Sequence, residues 1–206
     1  MTPCSVLKIG AKLLIDLICD STFFNSFSGA KPGYLIGTGQ GEDENLAIFN
    51  SITHIGARPP LLGFIQRPTT VDRHTYQNIL KYKHYSFNLI TENFFEKAHQ
   101  TSARYSKGQN EFKEVGLTAI HKKEIRCPFV GESPLHIALE LDDDIEIKSN
   151  QTRLIIGKVI SISIPRTLDK NKYRLDFQEL KSMSISGLSD YYKLTKVKSL
   201  NYAKPQ

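Results

Sequence analysis

From Lys31 to Ile65 the chain offers only short apolar runs, each cut by turn residues before it could complete a long helix, and this confines it to a fold built largely from strands. Tyr34, Leu35 and Ile36 end at Gly37-Thr38-Gly39-Gln40-Gly41, and the chain restarts with Leu46, Ala47, Ile48 and Phe49, a hairpin-like pattern. Pro59-Pro60 sets an extended entry into Leu61-Leu62-Gly63-Phe64-Ile65, a run of buried-strand length. The clearest strand comes later: Leu154, Ile156, Ile160, Ile162 and Ile164 alternate with mostly small or polar neighbours until Pro165, with Lys158 interrupting the apolar face. His136 to Leu141 reads as its partner, with Asp142-Asp143-Asp144 near the turn between them.

Helices are few. Tyr76, Ile79 and Leu80 share a helical face, which predicts a short helix starting near Thr75. A strand from Tyr85 to Ile90 leads into a second helical stretch, where Phe94, Ala98, Thr101 and Tyr105 share a face and Thr91 is available as N-cap. Ser106 to Pro134 is irregular and charged, and predicts loops with one short helical turn. Strands do not alternate regularly with helices, so a Rossmann sheet is disfavoured and a closed or two-sheet β-architecture favoured. With 206 residues, 40% of them apolar, and no linker-like segment, the chain reads as one domain over 1–206.

The segment Arg67-Pro68-Thr69-Thr70-Val71-Asp72-Arg73-His74-Thr75 gathers cations and hydroxyls where a strand ends and a helix begins. Such a bend is either a solvated, well-capped loop or a cradle in which Arg67 and Arg73 supply charge and Thr69, Thr70 and Thr75 supply hydroxyls to a phosphate monoester. Asn50-Ser51-Ile52-Thr53 ends the preceding strand. In a folded-back barrel it would offer amides and small polar groups beside that bend. The glycines of 37–41 run into Glu42, Asp43 and Glu44, whose carboxylates would repel a phosphate, so they read as a turn rather than a dinucleotide loop.

Other chemistries lack support. The six histidines show no metal-ligand spacing, and there is no GxSxG elbow. Three distant cysteines, Cys4, Cys19 and Cys127, suggest a reducing compartment. A net charge of +6 suits an anionic partner, yet the lysines of the last third form no unbroken run and no interleaving with aromatics, which favours a solvated face over nucleic acid. Lys12 and Asp16 interrupt the apolar Leu13, Leu14, Ile15, Leu17 and Ile18, and no apolar run approaches the ~20 residues of a membrane span. A cytoplasmic location without membrane or nucleic-acid partners is expected.

Read in order, several blocks resemble the flavin reductase-like family of FMN-binding split-barrel flavoproteins. They are Lys31-Pro32-Gly33-Tyr34-Leu35-Ile36-Gly37-Thr38, Asn45 to Ser51, Arg58 to Phe64, Arg67 to Ile79, Glu96 to Ala103, Leu154 to Gly157, Ser186-Gly187-Leu188 and Tyr202 to Pro205. The likeness runs from about Ser28 to the C-terminus, and roughly the first 25 residues match less well. It implies a mainly β, Greek-key split barrel with a few short flanking helices. It also implies a homodimer with FMN at the subunit interface, NADH or NADPH as transient electron donor, and an electron-acceptor enzyme as a possible further partner. Carried over residue by residue, it makes Arg67, Arg73 and Thr75 phosphate contacts, with Thr69 and His74 close by. Asn50, Ser51, Ile52 and Thr53 would line the ring largely through backbone atoms, while His99, Thr101 and Ser102 would close over the flavin. Asn50 and Lys158 depart from the family pattern, which shows a small hydroxyl residue at the first and commonly an acid at the second. Two functions are then open: an NAD(P)H-dependent flavin reductase, or a non-enzymatic FMN-binding electron carrier or storage protein.

Overall fold

The computed structural model describes residues 6–9, 12–15, 24–106, 108–165 and 175–205. The strands are β1 (Val6–Ile9), β2 (Lys12–Ile15), β3 (Lys31–Pro32), β4 (Tyr34–Thr38), β5 (Asn45–Phe49), β6 (Thr53–Ala57) and β7 (Pro60–Gln66), followed by β8 (His84–Leu89), β9 (Ala119–Lys122), β10 (Ile125–Val130), β11 (His136–Ile147), β12 (Thr152–Ser163), β13 (Met183–Ser186) and β14 (Asp190–Lys193). Among the described residues three α-helices interrupt them, α1 (His74–Tyr82), α2 (Phe95–Gln100) and α3 (Glu111–Val115), besides one 3-10 turn at Gly41–Asp43. Leu17, Ile18, Cys4 and Cys19 lie outside the described residues. No described helix is long and apolar enough to cross a membrane.

Seven strands form one antiparallel sheet in the order β5-β4-β8-β11-β12-β7-β6. With the hairpin β9–β10 and the three-stranded sheet β14-β13-β3, it makes the mainly β split barrel that the sequence predicts. All five residues of β4 are buried, because the sheet is covered on both faces there. Tyr34 and Ile36 join Phe64, Phe87, Leu139 and Ile155 in the barrel core, where Phe64 meets Phe49 edge-on at 4.9 Å. Leu35, one residue between them, points instead into a second core with Phe94, Phe112, Val130 and Ile185, under α2 and α3.

Four expectations change. Thr91 does not cap the second helix; it forms an isolated bridge with Ser182, and Phe94 stands at the N-cap without a side-chain bond. That helix stops at Gln100, short of Tyr105. The charged stretch 106–134 holds a hairpin as well as α3, because β9 and β10 pair through backbone bonds whatever their outward side chains. Asp142, Asp143 and Asp144 lie inside β11, which runs on to Ile147, so the turn to β12 falls at 148–151.

Helix α1 is fixed from several sides, which matters because it follows the cationic bend. Its buried face is Thr75, Asn78 and Ile79, whereas Leu80 is turned outward. Asn78 Nδ2 donates to Asp43 O (2.6 Å) and Thr38 Oγ1 (3.3 Å), docking α1 into the glycine-rich turn after β4. Gly39 sits there at φ +83°, and a β-carbon on it would strike Asp43 O and Asn78 Nδ2. That segment is thus a turn that receives a helix. On the opposite side, Tyr76 Oη donates to Asp144 Oδ2 (2.7 Å) and Arg153 Nε to Asp144 Oδ1 (2.7 Å), tying the first turn of α1 to the far end of the β11–β12 hairpin.

Candidate functional site

Strand β7 delivers the chain at Gln66 into the bend 67–73, and α1 begins at His74. Arg67, Thr69 and Thr70 are exposed, while Arg73 is half-buried. Arg73 Nε donates to Pro68 O (3.2 Å), which pins the guanidinium across its own loop and leaves its terminal nitrogens for another acceptor. Burial lowers the Arg73 pKa, and the charges of Arg67 and Arg104 lower it further. No ion pair among the described residues engages Arg67, Arg73 or Arg104. Arg73 is also the N-cap of α1 and makes no side-chain cap, so the first-turn amides lack a side-chain acceptor. Asp72 in the same bend accepts from Gln77 Nε2 (3.2 Å) instead, and cations with no described ion pair beside a helix start fit a phosphate monoester.

Thr75 stands differently from its expected role. It is buried, and its hydroxyl lies 3.0 Å from the Asn45 carboxamide. With that carboxamide oriented so that both of its atoms are matched, Nδ2 donates to Glu111 Oε1 (3.1 Å) and Oδ1 accepts from Thr75 Oγ1 (3.0 Å). Glu111 Oε2 also accepts from Leu46 N (3.1 Å). The Thr75 proton is therefore spent inward, and Thr75 anchors the first turn of α1 to β5 and α3. Burial raises the Glu111 pKa against the opposing pull of its backbone hydrogen bonds and of His74. His74 is half-buried and lines, with Asn45, Gln77, Asn78, Gly108 and Gln109, a cavity of about 150 Å³.

The corner 50–53 lies at the same edge of the barrel. Ser51 Oγ accepts from Ile65 N (3.1 Å) and donates to Ile65 O (3.3 Å), which clamps the corner two residues before Arg67. Ile52 packs on the barrel core, and Thr53 is exposed at the start of β6. Asn50 Nδ2 donates to Gly187 O (3.0 Å) and Ile185 O (3.4 Å), a reach across to the β13–β14 turn that gives its carboxamide a task no small hydroxyl residue would perform.

The third group is divided. His99 Nδ1 lies 3.0 Å from Tyr191 Oη and its ring packs edge-on against Tyr191, while buried Thr101 donates to Ala98 O (2.8 Å). Both are engaged within this chain; Ser102 is exposed. Arg104, two residues on, is a residue that sequence reasoning left out and whose charge lowers the Arg73 pKa. Its one signal was a basic residue directly after the family-like block ending at Ala103.

Residues 28–182 match the family described as flavin reductase like domain. The fold is similar to a flavin reductase-type structure with a split barrel domain from Shewanella frigidimarina NCIMB 400, at 38% identity and TM-score 0.84, covering 89% of this chain and 91% of that one. It is similar also to nitrilotriacetate monooxygenase component B from Bacillus cereus (22% identity, TM-score 0.78, 87% and 91% covered). A third likeness is to flavoredoxin of Desulfovibrio vulgaris (Miyazaki F), with 17% identity, TM-score 0.74, and 91% and 96% covered.

Proposed function

The chain belongs to the flavin reductase-like family, and on that premise we propose that it binds FMN and works as an NAD(P)H-dependent flavin reductase. The observation that carries this reading is the half-buried Arg73, pinned by Pro68 O and facing the field of two further guanidiniums with no described carboxylate paired to any of them. In this reading Arg67, Arg73 and the Thr69 hydroxyl hold the terminal phosphate, with His74 alongside and Thr75 keeping the first turn of α1 in place from below. The corner Asn50-Ser51-Ile52-Thr53 lines the ring with backbone amides that the Ser51 clamp holds rigid. Ser102 faces the flavin, while His99 and Thr101 support its loop from within.

Bound flavin would supply the redox chemistry, taking hydride from a reduced nicotinamide and passing electrons to a second acceptor. The protein then needs few acid–base groups of its own: it orients the ring, donates hydrogen bonds to it and excludes water. The same reading makes the protein a homodimer. Ile160 and Ile162 of β12 and Ile164 just after it, at 41%, 59% and 42% exposure, form an outward row that contact with a second copy would cover. The absorbance spectrum of freshly purified protein tests flavin binding, and the yellow flavin bands are expected. Stopped-flow mixing of that holoprotein with NADH and with NADPH tests the activity; absence of bleaching with both donors would reduce it to an electron carrier.

A further inference from the structure

The bend 67–73 leaves β7 at Gln66 and enters α1 at His74, and both ends of that excursion meet one residue of β12. Gln66 is buried and stands directly across from Arg153 in the β7–β12 register, so the two side chains leave the sheet on the same face. Beyond the bend, the Arg153 guanidinium lies over the ring of Tyr76, in the first turn of α1, 5.6 Å from its centre.

Arg153 takes up this place by reaching past the acid that faces it. Glu146 is its partner across the β11–β12 hairpin, yet the contact there is a single 3.5 Å bond from a terminal nitrogen. Arg153 Nε donates instead to Asp144 Oδ1 at 2.7 Å, and the other oxygen of that carboxylate accepts the Tyr76 hydroxyl, also at 2.7 Å. Asp144 is therefore a bridge, with one donor from β12 and one from α1. A hairpin that only had to be closed would have been served by Glu146. The Arg153 and Asp144 side chains are 21% and 17% exposed, so the pair is largely shielded from water and keeps its geometry better than a surface pair. A loop with free ends gives up conformational freedom when it closes on a ligand, whereas a loop with fixed ends has given up part of it beforehand.

Resting on the FMN reading above, we propose that Tyr76, Asp144 and Arg153 are positioning residues that fix the two ends of the bend relative to each other, and so set its grip on the flavin phosphate without touching the ligand.

The test is a fluorescence titration of flavin-stripped wild type, Tyr76→Phe, Asp144→Asn, the double variant and Arg73→Ala with FMN and riboflavin. It is run at several salt concentrations, at a temperature where circular dichroism shows each protein folded. Tyr76→Phe changes no charge and is expected to weaken FMN by about fivefold, the order of one ordinary hydrogen bond. Riboflavin should bind as before, and the salt dependence of FMN binding should match wild type, because every cation of the bend is still present. Asp144→Asn should weaken FMN as well, although it makes the protein more positive and attraction alone would tighten a phosphate. The double variant should lose little beyond the larger single loss, because both substitutions break one bridge. Arg73→Ala, by contrast, should make the salt dependence shallower.

Equal losses for FMN and riboflavin in Tyr76→Phe would make the bridge a general support of the fold and overturn the inference. Tighter FMN binding in Asp144→Asn, or additive losses in the double variant, would overturn it too. Unchanged FMN affinity in both single variants beside a clear loss in Arg73→Ala would overturn the inference and leave the FMN reading standing. A wild type that binds neither flavin would end both.

Discussion

Gly157 of β12 lies directly beneath the phenol of Tyr85 on β8, so that a β-carbon at residue 157 would occupy space the Tyr85 hydroxyl already fills. That hydroxyl is fully buried and has no hydrogen-bond partner. Gly157→Ala is therefore expected to destabilise the barrel by about 1–3 kcal/mol through overpacking. Tyr85→Phe removes an unsatisfied group and should be neutral or stabilising by about 1 kcal/mol. The double variant should recover only part of the loss, because the ring carbon of residue 85 (2.8 Å) and the Leu139 β-carbon (3.0 Å) still crowd a β-carbon at 157 once the hydroxyl is gone. Urea unfolding of the four proteins reads all three, and additive effects would refute the contact.

Arg73→Ala should weaken FMN binding by about 1.5–3 kcal/mol, the usual worth of a hydrogen bond to a charged group. Unchanged affinity in a flavin titration would count against the phosphate assignment.

Glu111 gives a pH signature. Its carboxyl is buried, and burial raises its pKa despite the bonds from backbone amides and the His74 charge. A carboxyl whose folded pKa exceeds its unfolded value holds more protons in the folded state, so stability is greatest below the ordinary carboxylate pKa, falls as pH rises to the raised value and is level above it. Glu111→Gln cannot titrate and should lack that part of the slope. Parallel unfolding profiles for wild type and variant across about pH 4 to 7 would show that Glu111 does not contribute.

Burial pushes the Cys127 thiol up to about 12, against the weaker opposing effects of the Ser86 hydrogen bond and Lys122. At about pH 8 it should carry almost no thiolate. With Cys4 and Cys19 replaced by serine, iodoacetamide should label the protein only in denaturant. Rapid native labelling would contradict its burial.

The outward row at the end of β12 predicts the assembly. Light scattering of wild type should give the mass of two chains, and Ile162→Asp, at the most exposed of the three isoleucines, should shift it to one. A single-chain mass for wild type at micromolar concentration would refute the homodimer.

The parts of this fold legible in the sequence are those whose burial follows local pattern. Strands β4, β5 and β7 announce themselves as short apolar runs between glycines and prolines. Strand β6 does not, since four of its five residues are exposed and its place depends on pairing with β7. The far half of β11 was hidden for the same reason: Asp142, Asp143 and Glu146 face water and are strand only because β12 lies alongside. At the site, the composition of the bend at 67–73 was readable, but the direction of each side chain was not. Whether the Thr75 hydroxyl faces outward or inward is decided by Asn45 and Glu111, which only the folded chain brings to it.

The family match stops at residue 182, one position before β13 begins. Yet β13 supplies the carbonyl of Met183 to Gly33 N (2.9 Å), and the turn after it supplies Gly187 O to Asn50, 137 residues earlier. A clone trimmed to the matched region would yield a barrel with an open seam along its rim. A colourless product from such a fragment would report where the gene was cut rather than what the intact polypeptide holds.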